Sequence, residues 1–155
     1  MKLEIERKYL VDKAMWNAFE KPVPAFLKQG YLLTSSDKTI RIRVTDTDGY
    51  LTIKGETIGA TRKEFEYAIS KSEAQELLND FCDSVISKVR YRVLYEGNVW
   101  EVDEFRDDNE GLIIAEIELE SESQKFRLPD WVAREVTGEE NYYNSFLAAH
   151  PYKNW

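Results

Sequence analysis

Apolar and polar residues alternate along most of this chain, as in TIRIRV at 39–44, TRKEFEYAI at 61–69 and SKVRYRV at 87–93. A period of two sends successive side chains to opposite faces of a strand. Eight segments carry that pattern: 3–9, 26–34, 39–46, 50–55, 61–69, 84–95, 98–105 and 112–120. Asp48-Gly49 and Glu96-Gly97-Asn98 have the composition of tight turns between neighbouring strands. Helical spacing is expected over 12–20, capped by Asp12, and over 72–82, capped by Ser72. The stretch 130–149 reads as one or two further helices broken near Gly138. Eight strands with short connections predict a mainly β (α+β) fold, an eight-stranded antiparallel closed barrel with flanking helices.

Each strand splits into two rows. Glu4, Glu6 and Lys8 oppose Leu3, Ile5 and Arg7, and Arg41 and Arg43 oppose Ile40, Ile42 and Val44. Thr52 and Lys54 oppose Leu51 and Ile53; Arg62, Glu64 and Glu66 oppose Phe65, Tyr67 and Ile69. Lys88, Arg90 and Arg92 oppose Val89, Tyr91 and Val93. Glu101 and Asp103 oppose Trp100 and Val102, while Glu116, Glu118 and Glu120 oppose Ala115, Ile117 and Leu119. The plain explanation of any one polar row is the solvated outside of an antiparallel sheet. Taken together the rows are unusual, because they are almost wholly ionised and the signs segregate by strand. A polyanion held through divalent metal needs that arrangement: carboxylates offer hard oxygen ligands, and Arg and Lys neutralise phosphate oxygens.

Composition narrows the field. At 155 residues, 43% hydrophobic and 32% charged, the chain is expected to form a single domain, 1–155, with an ordinary core. A net charge of −8 argues against a non-specific nucleic-acid binder. Charges interrupt the N-terminal MKLEIERKYL, so no signal peptide is expected, and no apolar run is long enough to span a bilayer. With Cys82 the one cysteine, a cytoplasmic location is expected.

Glu4-x-Glu6-x-Lys8 near the N-terminus resembles the signature of the CYTH superfamily, the triphosphate tunnel metalloenzymes. The resemblance continues in order through IRIR at 40–43, TIKG at 52–55, EFE at 64–66, KVRY at 88–91, VDEF at 102–105 and AEIELE at 115–120. It implies a barrel with the charged rows inside and hydrolysis of a triphosphate with Mg²⁺ or Mn²⁺. It implies Glu4, Glu6 and Glu118 as metal ligands, with Glu116 and Asp103 in support. Arg41, Arg43, Lys54, Arg62, Lys88 and Arg90 would clamp phosphate. Lys8, Tyr31, Glu64 and Glu66 would take part in catalysis, Lys8 also touching phosphate and Tyr31 pairing with Lys8.

Inorganic tripolyphosphate is the expected small-molecule substrate, split by in-line attack of water, with no nucleic-acid or membrane partner and homodimerisation left open. Thiamine or nucleoside triphosphatase and adenylate cyclase activities belong to the same family. A non-catalytic polyphosphate or nucleotide sensor would need fewer acidic residues in its pocket. Trp16, Trp100 and Trp131 are expected in the core, His150 on the surface, and Cys82 as a small buried apolar group. Asp107, Asp108 and Glu110 read as a solvated hairpin tip, and Tyr142, Tyr143 and Phe146 are expected to pack against one barrel mouth.

Overall fold

The computed structural model describes residues 1–155. Its strands are β1 (Lys2–Val11), β2 (Ala25–Thr34), β3 (Lys38–Val44), β4 (Gly49–Gly55), β5 (Thr61–Ile69), β6 (Val85–Tyr95), β7 (Asn98–Phe105), β8 (Ile113–Glu118) and β9 (Val132–Glu135). The helices are α1 (Lys13–Ala18), α2 (Lys71–Phe81) and α3 (Asn144–Ala149). The sheet runs β5-β4-β3-β2-β6-β7-β8-β1-β9, and a further β5–β1 pairing closes eight of its strands into a ring. Every pairing is antiparallel. No helix is long and apolar enough to cross a membrane.

Closure explains β9, where a helix was expected. One edge of β1 pairs with β8, while the other pairs with β5 only from Lys2 to Ile5. Beyond that point the edge would leave backbone donors and acceptors unmet, which is costly in a buried setting. The register Tyr9↔Glu135 and Val11↔Val132 fills the gap. Only the end of the 130–149 stretch, α3, is α-helical.

Local chemistry sets the other element ends. Asp12 caps α1 by accepting from Met15 N at 3.0 Å. Lys21 Nζ donates to the carbonyls of Trp16 (2.6 Å) and Phe19 (3.1 Å), serving the open carbonyl end of that helix. The cap of α2 is Ser70, not Ser72: its hydroxyl accepts from Glu73 N at 3.0 Å. Ser70 is the first residue beyond β5, so the helix begins where the ladder stops. Glu96 and Gly97, both at positive φ, turn β6 into β7. Gly49 has no such φ; a Cβ there would lie 2.6 Å from Ala74 Cβ, so glycine lets α2 sit close on β4.

The apolar rows face outward. Under α1 they form the main core: Tyr9, Trp16, Val93, Trp100, Val102, Ile117 and Trp131 are buried together. The three tryptophans meet edge to face, Trp16 and Trp131 at 5.0 Å between ring centroids and Trp100 and Trp131 at 6.0 Å. A smaller core under α2 joins Ile42 and Val44 to Ala74 and Leu78. Cys82, just past α2, is half-buried, with its side chain against Gly30. His150 is exposed and stacks on Phe146 at 4.3 Å.

Candidate active site

With the apolar rows outside, the charged rows turn inward and line one cavity of about 230 Å³. Its wall includes Glu4, Glu6, Lys8, Tyr31, Arg41, Arg43, Lys54, Arg62, Glu64, Glu66, Lys88, Arg90, Glu116 and Glu118. Thr137, Gly138, Tyr143, Asn144 and Ser145 line it as well, so the C-terminal segment forms part of the wall.

Strand register puts opposite charges together on one side. Lys54 Nζ donates to both oxygens of Glu4, at 3.0 and 2.8 Å, and lies 3.4 Å from Glu64. Arg62 Nε reaches Glu4 at 3.3 Å. Burial alone would raise the Glu4 pKa, but Lys54 and Arg62 hold it well below the usual carboxylate range. On the same β1 row Glu6 faces Glu118 in register, and Glu118 is drawn to Lys2 at 2.7 Å. Glu6 has no cation within salt-bridge distance. Burial first, then Glu116 and Glu4, push its pKa up to about 8. Glu64 is also raised, by burial and by its hydrogen bond with Glu4.

The other side is cationic and more deeply buried. Arg90 grips Asp103 through Nε (2.7 Å) and Nη2 (2.9 Å), and Lys88 Nζ lies 2.7 Å from the same carboxylate. Two cations share one anion, so Asp103 stays ionised. Lys88 is the group that yields, its pKa pushed down to about 7 by burial despite Asp103, with Arg90 and Arg43 adding to the fall. Arg41 donates from Nη2 to Thr52 Oγ1 at 3.1 Å and lies 3.6 Å from Glu66, while its buried Nε has no partner. An unpartnered guanidinium N–H in an enclosed site is set up for an anion's oxygen.

Two expectations change with these contacts. Asp103 is not on the cavity wall; both of its oxygens are engaged by Lys88 and Arg90. Tyr31 does not pair with Lys8: its hydroxyl accepts from Gln29 at 3.3 Å. Lys8 instead donates to the Tyr142 carbonyl at 3.1 Å, lies 3.7 Å from Glu116 and sits over the Tyr143 ring. Sequence reasoning missed Gln29, Thr52 and Asn144. The alternation that places Tyr31 inside also places Gln29 there, whereas nothing in the sequence marks Asn144.

For a metal, the remaining donors are all carboxylate oxygens, the set a hard divalent cation takes, and Glu6 stands ionically unpaired among them. No three acidic groups already form a closed cage. A divalent cation such as Mg²⁺ commonly takes only one or two protein carboxylates, keeps waters and shares substrate phosphates. The residues present fit such an ion.

A closed antiparallel barrel with an ionised interior, open to a small polar ligand, is thus the class of molecule. The CYTH domain model matches residues 2–147, and the chain belongs to the CYTH family. It is 48% identical over 153 residues to an inorganic triphosphatase of Acetivibrio thermocellus, covering 98% of this chain and 97% of that protein. The solved inorganic triphosphatase NE1496 is 32% identical, with 96% and 95% of the two chains covered and a TM-score of 0.66. The PH1012 protein of Pyrococcus horikoshii shares the fold at 20% identity and a TM-score of 0.58, over 77% and 79% of the chains.

Proposed function

We propose that this chain is a divalent-metal-dependent triphosphatase whose preferred substrate is inorganic tripolyphosphate, cleaved to pyrophosphate and phosphate. The observation that carries the reading is one cavity lined by Arg41, Arg43, Lys54, Lys88 and Arg90 opposite the carboxylates of β1 and β8. The 48% identity to an inorganic triphosphatase supports it. Residues 1–155 act as one unit in this reading, working in the cytoplasm on a small molecule.

Tripolyphosphate repels any nucleophile until its charge is neutralised. Arg41, Arg43, Lys88 and Arg90 receive phosphate oxygens. Asp103 fixes Lys88 and Arg90, while Glu66 and Thr52 orient Arg41, so the clamp is set before substrate arrives. Lys54, held by Glu4 and Glu64, borders both the acidic and basic sides. Lys8 anchors the C-terminal segment through the Tyr142 carbonyl, helping that segment exclude bulk water. Glu4, Glu6 and Glu118 would hold Mg²⁺ or Mn²⁺, with Glu116 behind them. When bound, the ion supplies Lewis-acid polarisation of phosphoryl oxygens.

Phosphate release from tripolyphosphate, followed colorimetrically, tests the proposal. Activity with Mg²⁺ or Mn²⁺ is expected, with loss in EDTA, slower release from ATP and no cyclic AMP. Robust cyclic AMP production would replace the triphosphatase reading with a cyclase.

A further inference from the structure

Beside the cavity, hydrogen bonds join two of its cations through two neutral amides. Gln29 is fully buried on β2, on the inward row with Tyr31. Its Oε1 accepts from Arg43 Nε at 3.0 Å and from Nη2 at 2.8 Å. Its Nε2 donates to the Tyr31 hydroxyl at 3.3 Å and to Asn144 Oδ1 at 3.4 Å. The same Asn144 oxygen accepts from Lys88 Nζ at 3.0 Å. Every direction in this chain is forced. The Arg43 guanidinium and the ammonium form of Lys88 only donate, so both amide oxygens face them, and Gln29 turns its NH₂ toward Asn144.

The neutrality of these two partners matters. Elsewhere in the cavity cations are fixed by carboxylates: Lys54 by Glu4, Arg90 by Asp103, and Lys88 by the same Asp103 as well as by Asn144. Each such pair spends positive charge on the protein itself. Arg43 has no carboxylate within salt-bridge distance; its side-chain partner is Gln29. Burial and the nearby Arg41 and Arg90 work against its charge, yet at about 9 its pKa leaves it charged at neutral pH. A buried guanidinium with cationic neighbours turns away unless an acceptor holds it. An amide oxygen holds it without cancelling it.

We propose that Gln29 and Asn144 are positioning residues: they hold Arg43 and Lys88 in place as neutral acceptors, leaving the charge of Arg43 for a phosphate group of a linear polyphosphate. Asn144 comes from the C-terminal segment, so docking of that segment completes the anion site as well as its wall. The inference rests on the triphosphatase reading above.

The test compares the wild-type protein with Gln29→Met, Gln29→Glu and Asn144→Ala. Tripolyphosphate hydrolysis gives KM and kcat, calorimetry gives the affinity for imidotriphosphate with Mg²⁺, and melting curves check folding. Gln29→Met should raise KM and weaken imidotriphosphate binding about tenfold, with kcat held within about threefold. Gln29→Glu, which sets a carboxylate on Arg43, should cost about a hundredfold in kcat/KM. Asn144→Ala should raise KM by about fivefold. In an Arg43→Ala background Gln29→Met should add nothing, because Gln29 acts through Arg43. A folded Gln29→Glu protein with KM within about twofold of wild type would overturn the proposal, as would a full Gln29→Met effect without Arg43. Should both Gln29 variants fail to fold, an unchanged KM in Asn144→Ala overturns it. Wild-type protein that neither hydrolyses tripolyphosphate nor binds imidotriphosphate sinks the triphosphatase reading instead.

Discussion

The barrel is clad on one side and nearly bare on another. Outside β1, β6, β7 and β8 lie α1 and the segment around Trp131, and Trp16 and Trp100 there have no exposed surface. Outside β4 and β5, beyond the end that α2 covers, a row of apolar side chains meets water: Ile53 is 36% exposed, Phe65 37% and Tyr67 54%. The deepest interior charges follow the same division. Lys8, Lys88 and Asp103, the three most enclosed charges, stand on the clad strands. Glu66, on the bare side, keeps nearly half of its side chain exposed. A buried charge network needs rigid surroundings, because a partner that drifts leaves an uncompensated ion in low dielectric. A thick aromatic layer supplies that rigidity around Lys88 and Asp103, whereas Glu66 on the thin wall can relax into water.

The largest effect should separate chemistry from cladding. Glu6→Gln keeps the shape and removes one crowded charge, so the metal-free melting temperature should hold or rise. Activity should fall by about a thousandfold, since a proposed metal donor is lost. Mg²⁺ with imidotriphosphate should raise the wild-type melting temperature by mass action, and the variant should lose most of that rise. A destabilised but active Glu6→Gln protein would make Glu6 structural. Glu118→Gln should follow the same pattern.

Next comes the cladding itself. Trp100→Ala should cost about 3–5 kcal/mol in chemical denaturation, and Phe65→Ala less than about 1.5 kcal/mol. Trp100 Nε1 is buried without a partner, so Trp100→Phe should recover much of the loss. Equal costs at positions 65 and 100 would erase the distinction between the walls.

Asp103→Asn probes the ion network behind the clad wall. Removing the shared anion leaves Lys88 and Arg90 repelling each other, and a loss of about 3 kcal/mol is expected. Asp103→Asn should also reduce the stabilisation by Mg²⁺ with imidotriphosphate, because Asp103 fixes the clamp residues Lys88 and Arg90.

The smallest effect is in pH. Glu6 has a folded pKa of about 8 against an ordinary 4.5, and Glu64 is shifted in the same direction. Between these values the folded state holds protons that the unfolded chain has released. The stability this confers is complete below about pH 4 and is lost as pH rises through the folded values. Lys88 has the opposite sign: with a folded pKa of about 7 against 10.5, it lends stability as pH rises above 7. In EDTA, wild-type stability should therefore fall between pH 5 and 7 by up to about 1.4 kcal/mol per unit for each proton released. The fall should shrink in Glu6→Gln; an unchanged slope would move the crowding elsewhere.

Period-two alternation determined the strands and which residues share a face, placing Glu4, Arg41, Lys54, Glu66, Arg90 and Glu118 on the charged rows; the family resemblance carried by the ordered motifs is what pointed those rows inward. The order of the charged motifs carried the family resemblance as well, because each motif is local to its own strand. Tertiary structure decided what each interior charge touches. Asp103 reads like any inward carboxylate until β6 sets Lys88 and Arg90 beside it. Val132–Glu135 reads as helix until the short β1–β5 pairing leaves an edge to fill. Asn144 carries no local signal; it matters because the chain's end returns to the cavity and meets Lys88. Alternation is a property of neighbouring residues, whereas ion-pair partners, edge pairing and wall closure depend on groups far apart in sequence, and only the closed barrel brings those together.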